Sequence, residues 1–277
     1  MPVYNGEQFL AQALSSIRNQ IFRNWVLIIS DDGSCDGSDR IIRSFSSQDS
    51  RISVRQQPQN LGQLGNFGYL LDSCRTPYFM WHCQDDWIEP NYLETLLSVL
   101  SSNPGCTLAC GDSKRVAVDG QVIKHKPFPG IDPDDRLQRV RLLLDGSDAT
   151  RIFGLFVTEA LRRPFADAIA AGYVWGWDPL TLLPFILNDR LRGTNETCFY
   201  WRDTGLSAEK YKPRGVRYEM RFLLTWLQFH LRQLNASSLT TSQKLACFRA
   251  LLAHLAERSG VSPYKLYLRP LLRSFRP

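Results

Sequence analysis

The fold is set by WVLIISDDGS (Trp25–Ser34), in which an apolar run ends in two carboxylates and a glycine turn. Consecutive apolar residues bounded by polar ones predict a strand buried on both faces, as in a parallel sheet. Upstream, residues 9–17 carry apolar side chains at helical spacing, and downstream a second helix is predicted to begin near Ser38. Helix, buried strand and helix in this order indicate an α/β fold.

The same alternation continues through the first half of the chain. It predicts a mostly parallel central sheet flanked by helices. The further predicted elements are strands at 52–54 and 77–83, helices at 63–74 and from Pro90, a hairpin at 116–123 around Asp119-Gly120, and strands at 152–157 and 197–201. We interpret residues 125–150, rich in Pro, Asp and Gly, as a loop or mobile segment.

Two amphipathic helices are predicted within residues 216–258, broken near Asn235–Ser238. We therefore expect residues 1–205 to form one α/β domain and residues 206–277 a C-terminal helical extension with a basic tail. The opening residues, Met1–Gly6, resemble the end of a strand rather than its beginning. We expect the chain to begin inside its first strand, or its start codon to lie too late.

Composition bounds the function classes. The chain has 277 residues, 44% of them hydrophobic, which suffices for a large core. It contains no run of about 18 apolar residues and no signal-peptide pattern, so we expect no membrane span and a cytoplasmic location. Seven scattered cysteines are expected to be reduced and mostly buried thiols.

Charge is distributed unevenly along the chain. Residues 201–277 hold 14 Lys/Arg against 4 Asp/Glu, whereas residues 1–200 hold 19 against 23. The segment 264–276 mixes Tyr, Leu and Phe with basic residues, a composition that favours peripheral contact with anionic lipid at the inner face of the cell membrane. A solvated basic tail ranks second, and nucleic acid ranks last because the acidic first 200 residues offer it no complementary surface.

A second pair of carboxylates, Asp85-Asp86, follows the apolar run Tyr78–Trp81. Hard divalent cations such as Mg²⁺ bind through one or two carboxylates while keeping waters and substrate phosphates as their other ligands. The pair therefore predicts a metal site at a strand end. The alternative is a solvated acidic start of the helix that Pro90 opens.

The order of three motifs resembles the family 2 glycosyltransferases of GT-A fold. The motifs are Pro2-x-Tyr4-Asn5, Asp31-Asp32-Gly33-Ser34 and Gln84-Asp85-Asp86, and the resemblance covers about residues 1–205. It implies an inverting, metal-dependent, hexosyltransferase-like enzyme that uses a nucleotide-diphosphate sugar with Mg²⁺ or Mn²⁺. Its nucleotide-binding half is then 1–111 and its acceptor-binding half 112–205. Many such enzymes build bacterial surface polysaccharides.

On the nucleotide side, the resemblance implies that Pro2, Tyr4 and Asn5 line the base and that Asp31 and Asp32 belong to the pocket. The Asp32 carboxylate, an acceptor only, would read the N–H of uracil and so favour UDP. Asn60 belongs to a turn under the nucleotide and is more often structural than catalytic. The alternative for Asp31–Ser34 is a polar turn that caps the next helix.

At the metal, the resemblance implies Asp86 as the main ligand and Asp85 as a contact to metal, ribose or water. Gln84 stands where many relatives have a further acid, which lowers the charge of the site. Arg202, in Tyr200–Gly205, matches a family arginine near the diphosphate. Asp203 stands where a histidine often follows, and the alternative for Arg202 is a surface residue on an edge strand.

On the acceptor side, Trp175-Gly176-Trp177-Asp178 resembles the family motif that supplies the catalytic base. Asp178 would accept the proton of the acceptor hydroxyl. The alternative is an N-cap, because Asp178 precedes Pro179, a good first-turn residue.

The function predicted is transfer of a single sugar from a UDP-sugar to an acceptor hydroxyl of a glycan or lipid-linked acceptor. The Gln-x-x-Arg-Trp signature of processive synthases is missing after Asp178. One alternative is a non-catalytic GT-A partner or scaffold acting through its C-terminal helices. Another is a sugar nucleotidyltransferase, whose glycine-rich basic loop is missing from residues 1–20.

Overall fold

A computed structural model describes residues 1–130, 135–145, 148–205 and 210–259. The chain divides into two compact units, each formed by separate stretches of sequence. The first unit comprises Met1–Phe128, Phe153–Ala160 and Arg192–Thr204, and the second comprises Pro129–Ile152, Leu161–Leu191 and Gly205–Pro277. The boundary predicted after residue 205 remains a prediction.

The first unit is an α/β unit that begins with alternating strands and helices. Its elements are β1 (Pro2–Val3), α1 (Leu10–Arg18), β2 (Leu27–Asp31), α2 (Ser38–Gln48), β3 (Ile52–Gln56), α3 (Gly62–Ser73), β4 (Tyr78–Phe79), β5 (Trp87–Ile88), α4 (Tyr92–Ser102), β6 (Leu108–Val116), β7 (Val122–Lys126), β8 (Leu155–Val157) and β9 (Leu191–Arg202).

A parallel three-stranded sheet holds the motif that sets the fold. Its order is β1-β2-β3, with Val3 opposite Asp31 and Leu27 opposite Ile52. The buried side chains of these strands pack with those of α1 and α2 into one apolar cluster. Parallel strands need helical crossovers, and burial of both faces explains the unbroken apolar run of β2. The α/β class with a parallel sheet and flanking helices is confirmed.

The second sheet of this unit has six strands in the order β4-β8-β6-β9-β5, with β7 paired to β6. The strand predicted at 77–83 is shorter, because only Tyr78 and Phe79 pair, and they do so antiparallel to β8. β5 also pairs antiparallel, with Trp87 opposite Tyr200. The predicted hairpin is confirmed: its turn is closed by Ala117 and Gln121, and Gly120 takes a left-handed conformation at φ 91°. The residues between β4 and β5 therefore lie outside the paired strands.

The second unit is helical. Its elements are α5 (Arg136–Asp145), a 3₁₀ turn (Ala149–Phe153), most of α6 (Thr158–Ile169), α7 (Trp177–Leu187), α8 (Val216–Ala236) and α9 (Thr241–Ser259). The loop predicted at 125–150 is wrong for α5, whose Val140, Leu143 and Leu144 are buried at helical spacing. The two C-terminal helices and the break between them are confirmed.

Aromatic and imidazole rings fill the interior of the second unit. Trp226 on α8 is fully buried and packs against Phe222, with ring centroids 4.9 Å apart. His230 and His254, also buried, share a hydrogen bond of 3.1 Å between ring nitrogens. α8 and α9 are therefore joined by a polar contact inside an apolar core.

Among the described residues, no helix is long and apolar enough to cross a membrane. The basic segment 264–276 lies outside the described residues. The seven cysteines, which all lie within the described residues, are thiols, and five of them are buried.

Candidate active site

The first acidic turn, Asp31–Ser34, follows directly from β2. One oxygen of Asp31 accepts from the backbone N–H of Ser34 at 3.1 Å and from its hydroxyl at 2.5 Å. Gly33 lies between them at φ 84°, a conformation that costs glycine little. The side chain of Asp31 thus closes the turn on itself.

Asp32 connects the first acidic turn to α3. Its two carboxylate oxygens accept from the backbone N–H groups of Leu61 at 2.7 Å and Gly62 at 3.0 Å. The amide of Asn60 donates to the carbonyl of Asp32 at 2.9 Å. The buried side chain of Asp32 is therefore held by two N–H groups at a helix start, of which that of Gly62 also donates to Oδ1 of Asn60 at 3.0 Å.

The beginning of the chain lies beside this turn. Pro2 pairs with Ser30 in the parallel sheet, and Tyr4 is half exposed. Asn5 adopts a left-handed φ of 49°, in which its N–H donates to the Ser34 hydroxyl at 2.9 Å. Its side-chain oxygen accepts from the N–H of Cys35 at 2.9 Å. The structure therefore brings the predicted nucleotide-side residues together.

Gln84 joins the beginning of the chain to the second acidic turn, Cys83–Asp86. Its Oε1 accepts from the N–H of Tyr4 at 2.8 Å, and its Nε2 donates to the carbonyl of Tyr4 at 3.1 Å. A side-chain amide offers both the donor and the acceptor that this pair of bonds needs, whereas a carboxylate offers acceptors only. This role of Gln84 was not predicted from the sequence, because the partners are 80 residues apart and no local pattern indicates that they pair.

The second acidic turn concentrates negative charge. The side-chain ligand atoms of Cys83, Asp85 and Asp86 all lie within 4.8 Å of one another. Asp86 is buried and Asp85 and Cys83 are partly so. Burial is the main cause that raises the pKa of Asp86 well above its usual value, and the neighbouring carboxylate of Asp85 is the second. Burial also raises the pKa of Asp85. Two such close carboxylates favour either a proton or a cation between them.

Arg202, the last residue of β9, lies against this turn. Its backbone N–H donates to one oxygen of Asp86 at 3.0 Å, and its Nε donates to the carbonyl of Asp85 at 3.2 Å. Asp203, which stands where the family pattern often has a histidine, forms an ion pair with Arg115.

His82 underlies the second acidic turn from the protein interior. The residue is buried, its Nδ1 contacts the carbonyl of Cys83 at 2.8 Å, and its ring packs edge-on against Phe199. Burial lowers the pKa of His82 from 6.5 to about 4. The imidazole is therefore neutral at physiological pH, and Nδ1 carries the proton that it donates to Cys83.

Asp178 belongs to the second unit and lies in the first turn of α7. The N-cap predicted at Asp178 is wrong, because α7 begins at Trp177 and its cap position is Gly176. Gly176 has φ 80°, and a Cβ there would collide with the ring of Trp226. The glycine is thus required by both conformation and space, and it fixes where the Asp178 backbone enters the helix.

Residues 1–162 match the family model described as Glycosyl transferase family 2. The chain is 38% identical over 96 residues to the putative glycosyltransferase EpsH of Bacillus subtilis, covering 34% of this chain and 27% of EpsH. It therefore spans only about a quarter of that relative. Asp178 and Arg202 lie beyond the matched residues.

Among solved structures, S. aureus TarS 1–349 in complex with UDP-GlcNAc superposes with a TM-score of 0.67 at 16% identity, covering 92% of this chain and 70% of that one. The mannosyltransferase PcManGT of Pyrobaculum calidifontis, in complex with GDP-Man and Mn²⁺, gives a TM-score of 0.54 at 13% identity, covering 99% of this chain and 78% of that one. These likenesses establish a shared fold.

Proposed function

The chain belongs to glycosyl transferase family 2, and from that premise we propose that it transfers a single sugar from a UDP-sugar to an acceptor hydroxyl, with inversion, in the synthesis of a bacterial surface polysaccharide or glycan. The observation that carries the proposal is the second acidic turn. In a chain of this family, it brings the carboxylates of Asp85 and Asp86 and the thiol of Cys83 within 4.8 Å of one another.

The nucleotide side of the proposal assigns the base to the residues around the first acidic turn. Pro2, Tyr4 and Asn5 lie next to it, and Asp32 is fixed by two backbone N–H groups. Each carboxylate oxygen has two lone pairs, so Asp32 retains acceptor capacity for the N–H of uracil. A UDP-sugar donor agrees with the TarS structure, which holds UDP-GlcNAc.

Mg²⁺ or Mn²⁺ is the cofactor that we propose for the second acidic turn. Asp86 and Asp85 offer the oxygen ligands that these ions prefer, and the fold relative PcManGT holds Mn²⁺. A bound ion supplies charge neutralisation for the diphosphate leaving group.

Asp178 is the base that we propose for the acceptor. Its carboxylate would receive the proton of the acceptor hydroxyl, and a single displacement at the anomeric carbon then inverts its configuration. The position of Asp178 at a helix start, set by Gly176, suits a carboxylate that must remain ionised before transfer.

Two measurements test the function on the full chain. Thermal unfolding should show stabilisation by UDP that increases with Mn²⁺, because a ligand that binds only the folded state raises the Tm. Asp178→Asn should retain this stabilisation but lose transfer. Transfer is measured as the release of UDP from UDP-sugars. The exposed Glu94→Gln is the matched control and should behave as wild type.

A chain that binds none of UDP, GDP or dTDP, with or without metal, would overturn the proposal. That result, together with stable complexes formed through residues 216–277, would favour the alternative of a non-catalytic partner. An unaltered rate in Asp178→Asn would remove only the base assignment.

We also propose peripheral contact with an anionic lipid surface at the inner face of the cell membrane. The composition of 264–276 motivates it, and α8 adds an exposed row formed by Met220, Leu224 and Leu231 on the same side as Arg217 and Arg221. Apolar and basic side chains together suit an interfacial helix. The wild-type chain should sediment with anionic vesicles but not with neutral ones, and the double variant Leu224→Ser/Leu231→Ser should lose part of this sedimentation. Equal sedimentation with both kinds of vesicle would contradict the proposal.

A further inference from the structure

Arg202 is almost fully buried, with 4% of its surface exposed, and nearly all its donors are engaged. A guanidinium has five N–H groups. Four of them donate to uncharged oxygens of the protein. The acceptors are the carbonyls of Asp85 (3.2 Å from Nε), Ala117 (3.3 Å from Nη1) and Val118 (2.5 Å from Nη1), and Oε1 of Gln12 (2.6 Å from Nη2).

The plane of the guanidinium is also fixed. It lies over the ring of Phe9, 4.1 Å from its centroid, and over the ring of Trp87 at 4.9 Å. Trp87 in turn stacks on Tyr200, with ring centroids 5.0 Å apart. Aromatic faces attract a cation and restrict its rotation, so Arg202 cannot swing toward a ligand without breaking several contacts.

The charge of Arg202 is not consumed by an ion pair. None of the ion pairs formed within the described part of the chain includes Arg202. Its positive charge nevertheless acts on both Asp85 and Asp86. A cation at this place offsets part of the repulsion between the two carboxylates, although its guanidinium donates to neither of them.

We propose that Arg202 is a positioning residue for the second acidic turn: it fixes the backbone of Asp85 and the carboxylate of Asp86 for a divalent cation, instead of binding the donor diphosphate directly. The proposal rests on the proposed function, since it concerns the same metal site. It also differs from the role that the family resemblance implies for Arg202.

Substitution by lysine separates the two roles. The variant Arg202→Lys would keep the charge, and lysine can bind a phosphate as a point charge. It would lose the planar fork that reaches the acceptors on α1, on the hairpin turn and at Asp85. A positioning role therefore predicts that Arg202→Lys and Arg202→Met are equally damaging, and a direct role predicts that lysine restores most of the function.

The experiment measures Mn²⁺ binding to the full chain without nucleotide, by electron paramagnetic resonance, and UDP binding in metal-free buffer by calorimetry. We expect Arg202→Lys and Arg202→Met to weaken Mn²⁺ binding about 10- to 100-fold, the range seen when outer partners of metal ligands are removed. UDP binding without metal should stay within about twofold.

Two further variants keep the test sound if Arg202→Met fails to fold. Gln12→Ala removes one acceptor of the fork and should weaken Mn²⁺ binding in the same direction but less, by about threefold. Arg51→Lys is the matched control, because Arg51 also lies over an indole ring, that of Trp25, and bonds to Asp49 away from the acidic turns. It should leave Mn²⁺ binding unchanged.

The outcomes are distinct. Unchanged Mn²⁺ affinity with weakened UDP binding in Arg202→Lys would overturn the positioning role and leave the proposed function standing. A wild-type chain that binds neither Mn²⁺ nor UDP would overturn both. Weakened Mn²⁺ binding with intact metal-free UDP binding supports the positioning role.

Discussion

The two acidic turns follow the same plan in sequence but differ in how their carboxylates are satisfied. In the first acidic turn, Asp31 bonds to Ser34 and Asp32 bonds to two N–H groups at the start of α3. In the second, Asp86 receives one backbone N–H, and the thiol of Cys83 adds no charge compensation. Both turns place an acidic pair at a strand end or beside one.

This difference separates carboxylates that fix the backbone from carboxylates that suit the cation site that we propose. A buried charge with two short N–H bonds is balanced within the protein. A close carboxylate pair with raised pKa values is not, and either a proton or the cation that we propose relieves the repulsion between the two groups. The comparison therefore predicts that substitutions in the first acidic turn mainly change stability and those in the second mainly change activity.

The strongest test is Asp86→Asn. The amide keeps an oxygen for the N–H of Arg202 but removes the charge that holds a cation. We expect transfer to fall about 10³-fold, or about 4 kcal/mol, the scale of a lost metal contribution. In metal-free buffer the Tm should not fall, because a repelling buried charge is removed. Steady-state rates measure the loss of transfer, and calorimetry measures the Tm. A Tm lowered by several degrees would contradict the difference that we infer between the two acidic turns.

Acid should destabilise the second turn through His82. Its pKa is about 4 in the folded protein and near 6.5 when unfolded, so the stability it contributes is complete above pH 6.5 and is lost as the pH falls toward 4. The free energy of unfolding of wild type minus that of His82→Gln should fall by about 3 kcal/mol over this range.

Urea denaturation of both proteins between pH 7 and pH 4 measures that difference. His230, whose pKa burial also lowers to about 4, is present in both proteins and cancels. A difference that does not change with pH would show that the His82 ring is not held neutral by burial.

In the first acidic turn, Asp32→Ala should act on stability. It leaves the N–H of Leu61 without its acceptor and removes one of the two acceptors of the Gly62 N–H, which we expect to cost about 2 kcal/mol. The control is Asp39→Ala, which removes a solvent-accessible ion pair with Arg43 and a hydrogen bond from Gln56, and which should cost clearly less. Chemical denaturation compares them, and equal losses would remove the anchoring role of Asp32.

The smallest effect is expected at the link between the turns. Gln84→Glu keeps an acceptor for the N–H of Tyr4 but replaces the donor to its carbonyl with an oxygen, at a cost of about 1 kcal/mol. Gln121→Glu, in the hairpin turn, is the control because its side chain is exposed. If Gln84→Glu were more stable than wild type, an acid at position 84 would be compatible with the contact to Tyr4.

Local pattern predicted what depends on neighbours in sequence. The run before Asp31 predicted β2. The acids at 85 and 86 predicted a metal site, and their oxygens lie within 4.8 Å of each other and of the Cys83 thiol. Helix α5 was missed because flanking Pro and Asp residues outweighed the spacing of Val140 and Leu143, which a count of apolar positions would have found. The cap of α7 was misplaced because its cause, the ring of Trp226, lies 50 residues away.

Distant partners explain the rest. The residues next to Arg202 in sequence place it at a strand end, which permits either a free or a buried guanidinium. Its four acceptors come from α1, the hairpin turn and the second acidic turn, and no periodicity encodes their meeting. Roles that depend on assembled contacts of this kind need the structure.

The contacts of Arg202 also impose an order on folding. The bond to Asp86 joins residues 116 positions apart, and the bond to Gln12 joins residues 190 apart. Both carboxylates of the second acidic turn therefore leave the ribosome long before the residue that holds them, and such distant closures form late. A nascent chain that ends at residue 162, where the family match ends, carries the whole acidic motif but not the arginine. Metal competence would then be acquired only as β9 is completed.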